Sequence, residues 1–121
     1  MPASPLESIR LVTERVALDE LRDMAARQFG DFVKAVVDLG RGVMAIAGEL
    51  HADEEAVLLQ GGARRADLWG INLYPGRPVP ELIAFDALIN VRPSQGNRSR
   101  GVEDAAVQRR IRAIVERLVA P

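Results

Sequence analysis

A chain of 121 residues is the size of one domain, long enough to bury roughly two thirds of its unfolded surface without help from a metal or disulfide. Lys and Arg number 16 against 17 Asp and Glu, a formal charge of -1, so no global field draws it to nucleic acid or an anionic membrane, and any electrostatic function must be local. Cys is absent, which excludes disulfides, thiol catalysis and Cys-ligated zinc or iron–sulfur clusters.

Residues 1–8 hold Pro2, Ser4 and Pro5 with no basic or long apolar stretch. They read as a loose tail and not a signal peptide, and a cytoplasmic location is the default. Residues 9–13 are a short β-branched run that suits an edge strand. Leu18, Leu21, Met24, Ala25 and Phe29 then recur at helical spacing, with Gly30 placed to stop the helix. Residues 32–38 and 42–48 are strand-like and joined by Leu39, Gly40 and Arg41, a hairpin. Residues 52–60 suit a short helix capped by Asp53, with Glu54 and Glu55 facing its positive end. Residues 67–73 alternate Trp69, Ile71 and Leu73 against Leu68, Gly70 and Asn72, which places Trp69 in the core, and Tyr74-Pro75-Gly76 makes a turn. Residues 82–92 alternate in the same way and read as another strand. Val107, Ile111, Ile114, Val115 and Leu118 form a helical stripe over residues 104–119. No run approaches the roughly 18 apolar residues that span a bilayer.

This order predicts a single α+β domain over residues 9–121, with a largely antiparallel sheet of about five strands, two main helices on one face and a short third helix. Two helices cover one face. The other is then expected to show Asn72, Tyr74, Asp86, Leu88, Asn90 and Arg92 to water or a partner, and a half-apolar face of that kind predicts a homodimer or larger assembly.

Two segments hold residue types with chemistry. Residues 90–104 place Arg92, Arg98 and Arg100 among Ser94, Gln95, Asn97 and Ser99, between a strand and a helix start. Guanidinium forks, hydroxyls, amides and free helix N–H groups are what a phosphate, sulfate or carboxylate needs. No Gly-x-x-x-x-Gly-Lys-Ser/Thr phosphate loop is present. The competing reading is that the arginines pair with the chain's own acids, such as Asp86, Glu103 or Asp104, and lock an irregular loop. The second segment, residues 48–55, holds the sole histidine, His51, among Glu49, Asp53, Glu54 and Glu55. It could supply a His51 or Glu49 base or take a divalent cation such as Mg²⁺, or could simply cap a helix. Lys34 is the one lysine in an Arg-rich chain, a bias that a GC-rich genome also produces.

The stretches Gly48-Glu49-Leu50-His51-Ala52-Asp53, Asp67-Leu68-Trp69-Gly70-Ile71-Asn72-Leu73-Tyr74-Pro75 and Ile89-Asn90-Val91-Arg92-Pro93-Ser94-Gln95-Gly96-Asn97-Arg98-Ser99-Arg100-Gly101-Val102-Glu103-Asp104, with Phe29-Gly30-Asp31 and residues 33–38, carry a resemblance to an uncharacterised family of short bacterial proteins of unknown function. The resemblance spans residues 15–119. It implies no activity, substrate or cofactor.

The function expected from the residues is the binding of a phosphate- or carboxylate-bearing ligand by Arg92, Arg98 and Arg100, with Ser94, Gln95, Asn97, Ser99, Asn72 and Asn90 around it. Phosphoester or nucleotide chemistry with His51 or Glu49 as base would suit that clamp. The alternative is a non-enzymatic homodimeric or regulatory module with a structural Arg loop. Convergence of His51 and the Arg loop in one pocket favours a site, and their separation by the sheet favours the module.

Overall fold

The periodic apolar residues after position 17 form α1 (Leu18–Arg27), which buries Leu21 and Ala25. The Glu20 carboxylate accepts the Ala17 N–H at 2.9 Å at its start, and the Gly30 N–H closes its end on the Ala25 carbonyl at 2.7 Å. The computed structural model describes residues 6–121. Most of the tail expected over residues 1–8 therefore lies outside the described residues.

The hairpin forms as its sequence predicts, from β3 (Val33–Asp38) and β4 (Val43–Ile46), paired from Ala35 with Ile46 to Asp38 with Val43. Asp38 holds the turn, its Oδ1 accepting the Gly40 N–H at 2.9 Å and its Oδ2 accepting Arg41 Nε at 2.9 Å. With β1 (Arg10–Val12), β5 (Leu68–Leu73) and β6 (Ile83–Ala84) these strands form one antiparallel sheet in the order β1-β4-β3-β5-β6. A separate parallel pair joins β2 (Val16–Ala17) to β7 (Val119–Ala120).

Helix α3 (Ala105–Leu118) is capped by Asp104, whose Oδ1 accepts the Ala106 N–H at 2.8 Å. It lies with α1 on one sheet face, where Ile111, Val115 and Leu118 meet Val37, Met44, Trp69 and Ile71. Trp69 is 5% exposed, as its alternation predicts.

The second face is not open, which corrects one expectation. Helix α2 (His51–Gln60) lies across it and sets Leu58 on Val36, Ala45 and Leu68, with Ile89 packed alongside. Burying side chains of this size contributes about 1.5–3 kcal/mol each, so a short helix is enough to close the face. Asp53 does not cap α2. The helix starts one residue earlier than expected, with Leu50 at the cap position and no side-chain cap.

The strand expected over residues 82–92 is also shorter. Only Ile83–Ala84 pairs with β5. Phe85 packs toward the α1/α3 core, whereas Ile89 packs toward α2, so the chain passes over the sheet edge between them. The Asn90 side chain then replaces the missing ladder: Oδ1 accepts the Gly70 N–H at 2.8 Å, and Nδ2 donates to the Gly70 carbonyl at 2.9 Å. A buried side-chain amide satisfies β5 as a neighbouring strand would.

Candidate functional site

The second sheet face carries its side chains in rows set by the register of β3 and β5, with Val36 opposite Gly70 and Lys34 opposite Asn72. Alternation along each strand puts these four positions on one side. The Val36 row lies under α2. Nearer the strand end, Lys34 lines a cleft of about 390 Å³ with His51 and Ala52 of α2's first turn, Leu50 before it, and Leu88, Ile89 and Arg100 from the segment that crosses the sheet edge.

His51 reaches the cleft because Gly70 has no side chain. A Cβ at position 70 would stand 2.4 Å from Ala87 Cβ, 3.1 Å from Ile89 and 3.2 Å from the His51 ring. The ring is seated by Nε2 on the Ile71 carbonyl at 2.8 Å. A carbonyl oxygen only accepts, so Nε2 carries the hydrogen. Burial lowers the His51 pKa, with the Lys34 charge adding to it, while the hydrogen bond to Ile71, the neighbouring Asn72 amide and the Asp86 charge oppose the shift. The imidazole is therefore neutral near pH 7, with its lone pair on Nδ1.

The Lys34 ammonium donates to the Glu49 carbonyl at 2.9 Å and sits 4.8 Å from the Phe29 ring centroid. Arg100 is held by Nε on Asp86 Oδ1 at 2.8 Å, with 61% of its side chain exposed. Among the described residues its terminal nitrogens make no hydrogen bond. Nor do the N–H groups of His51 and Ala52, because nothing caps α2. Beneath the cleft, Asn72 is 8% exposed and its Oδ1 has no partner.

The rest of the Arg-rich segment does not form the expected three-arginine clamp. Arg92 turns inward, donating through Nε to the Ile89 carbonyl at 3.0 Å, through Nη1 to the Arg65 carbonyl at 2.9 Å and through Nη2 to the Leu68 carbonyl. Glu55 supplies its counter-charge at 3.5 Å. Asn97 Nδ2 donates to the carbonyls of Asn90, Ser99 and Gly101, and its Oδ1 accepts the Glu103 N–H at 2.9 Å. The Arg98 and Ser99 amides bind the Glu103 carboxylate at 2.6 and 2.9 Å and hold its pKa below the usual range. Gln95 reaches the Ala66 carbonyl at 3.3 Å. Ser94 and Arg98 are exposed and do not line the cleft.

Glu49 contributes its carbonyl, while its side chain is exposed and does not line the cleft. Glu54 turns away into the protein, accepting the Gly48 N–H at 3.0 Å with its other oxygen unpartnered. Burial pushes its carboxyl well above the usual range, against the Gly48 hydrogen bond and Lys34. Glu55 pairs with Arg65 at 3.1 Å. The acids around His51 thus disperse, and among the described residues no three His, Asp or Glu gather as a metal site.

From the two segments singled out in the sequence, the cleft brings together His51 and Arg100, with Asn72 beneath them. The sequence reading missed Lys34 and Asp86 as site residues; the signal for Lys34 was its being the only lysine, which composition also explains. Among the described residues no helix is long and apolar enough to cross a membrane. No curated protein and no solved structure matches the chain. A family model does match, over residues 10–118, and by that match the chain belongs to the family described as "Protein of unknown function (DUF5674)".

Proposed function

We propose that this chain binds a small phosphate- or carboxylate-bearing molecule in the cleft where the first turn of α2 meets Lys34 and Arg100. The observation that carries the reading is the convergence of the one lysine, the one histidine and an arginine of the Arg-rich segment on a single cleft. Two cations and the unbonded amides of a helix start give that cleft a positive potential, and a helix start favours an anion. Asp86 offsets part of it while aiming the terminal nitrogens of Arg100. His51 adds a neutral imidazole with an available Nδ1, the form a general base requires. Phosphoester chemistry is the finer form of this reading, with His51 as the proton acceptor and Lys34 and Arg100 holding charge that develops on oxygen.

Thermal shift with inorganic phosphate tests the binding claim, because a ligand bound by the native state alone raises its apparent stability. The wild type should be stabilised and the Lys34→Gln and Arg100→Gln variants should not. Equal stabilisation of all three would place the anion elsewhere and remove the reading.

A self-associating module keeps one observation in its favour. Strand β1 is an edge of the sheet, and its Leu11 is 51% exposed beside a second cleft of about 460 Å³ lined also by Val43 and Val57. An unpaired edge can add a strand from another chain. A monomer mass in sedimentation at micromolar concentration would eliminate that module.

A further inference from the structure

We infer that the anion taken up by this cleft is carried on an apolar body, as in an alkyl or aryl phosphate or carboxylate, a free small molecule whose hydrocarbon lies against Leu50, Leu88 and Ile89. The inference rests on the anion reading above and adds the class of ligand to it.

Leu88 is 71% exposed and Leu50 is 55% exposed, the two highest values among the exposed large hydrophobic side chains of the described residues. Single exposed leucines are ordinary on a protein surface. Here both belong to the same cleft as Lys34, His51 and Arg100, although they come from different parts of the chain. Ile89 adds half-buried apolar surface between them and the sheet. Beyond Lys34, the Phe29 ring under its ammonium is itself 38% exposed, so apolar surface flanks the cation as well.

A bare inorganic anion would meet the two cations and leave the leucines in water. A sugar or peptide would set hydroxyls or amides against them. An apolar body removes both leucines from water while its charged end stays with Lys34 and Arg100. The cleft volume of about 390 Å³ falls in the range of small-molecule sites, roughly 300–1,000 Å³. The unpartnered Asn72 Oδ1 below suits a hydrogen-bond donor at the charged end, which a singly protonated phosphate monoester supplies.

The test is calorimetric titration of the full chain with inorganic phosphate, methyl phosphate, butyl phosphate and phenyl phosphate, and in parallel with acetate, butyrate and benzoate. A buried methylene tightens binding about fourfold, so butyl and phenyl phosphate, or butyrate and benzoate, should bind at least about tenfold tighter than the one-carbon or inorganic member. Leu50→Ala combined with Leu88→Ala, which adds no capping oxygen at the start of α2, should flatten that gradient and leave the inorganic or one-carbon ligand unchanged. Both leucines are exposed, so the folded state tolerates the change. Lys34→Gln should weaken every member of the series alike.

If inorganic or methyl phosphate binds through Lys34 and longer chains add nothing, the apolar inference falls and the anion reading stands. A gradient that ignores Leu50 and Leu88 also overturns the inference. If no member of either series binds, both readings fall together. Co-sedimentation with vesicles containing phosphatidic acid, lost in the double variant, would move the ligand from a free molecule to a lipid surface and overturn the claim of a small molecule.

Discussion

Two segments of this chain lead from the sheet into a helix, residues 85–104 into α3 and residues 47–50 into α2, and they settle their polar groups in opposite ways. In the first, Asn90 takes both polar groups of Gly70, Arg92 takes three carbonyls, Asn97 and Glu103 join the two ends of the loop, and Asp104 caps the helix. In the second, α2 has no side-chain cap, Glu54 keeps one buried oxygen unpartnered, and Ala47 sits at a φ of 68°, a conformation that costs a residue with a Cβ about 1–2 kcal/mol. The richer polar sequence is the closed one. Arg100 apart, its buried side chains answer to the backbone around them, and the plainer segment keeps groups that a ligand can engage.

The comparison breaks most visibly if Arg92 is removable. Arg92→Met should destabilise by about 3–5 kcal/mol in denaturant melts, since it leaves three carbonyls without a donor and the Glu55 carboxylate with Arg65 alone. Asn90→Ala should follow at about 2–3 kcal/mol, from the stranded N–H and C=O of Gly70. A loss under 1 kcal/mol in both would mean that the loop is not scaffold.

On the other side, Glu54→Gln should stabilise the protein, and increasingly so as pH rises. Folding raises this pKa, so stability is fully present below the ordinary carboxylate value and is lost as pH climbs toward the folded one, at up to about 1.4 kcal/mol per pH unit. Melts from pH 4 to 8 should show the wild type falling behind the variant across that range. Parallel curves would contradict a buried acid. His51 gives the opposite slope: its folded pKa is lowered, so its contribution is present above the ordinary histidine value and is lost as pH falls through the folded one. His51→Gln should remove that acid-side loss, and an unchanged profile below about pH 6.5 would mean that the ring is not held neutral.

The smallest effects separate the two remaining arginines. Arg100 makes only an exposed ion pair with Asp86, so Arg100→Gln should change stability by less than about 1 kcal/mol while abolishing the response to phosphate. Arg98→Gln should stay within about 0.5 kcal/mol and keep that response. Loss of the response in both variants would return the site to the loop.

The helices α1 and α3, the hairpin and the core placement of Trp69 were legible because period and turn chemistry determine them. The loop was harder to read for a physical reason. Arg, Asn and Ser hold an oxyanion with the same donors that hold a carbonyl, so residue type alone does not separate Arg92, which binds backbone, from Arg100, which lines the cleft. Alternation over residues 82–92 was real, yet Asn90 shows that a side-chain amide can stand in for a strand. Asp53 looked like a cap by composition, but the start of α2 is set by where the turn after β4 delivers the chain, and Leu50 arrives there first. Lys34 and Asn72 meet only through the register of β3 and β5, which no local pattern reveals.

Gly70 fixes the span of the cleft. Ala87 and Ile89, at the base of one wall, and His51, in the other, all rest on its α-carbon, so a single hydrogen atom gauges how far apart those walls stand. Placing a methyl group there would push Ala87 back by roughly 1 Å to regain ordinary contact. An alanine at this position would alter no charge and remove no donor, yet would change the calibre of the opening, so that ligands of different thickness, not different charge, would be the ones to exchange rank.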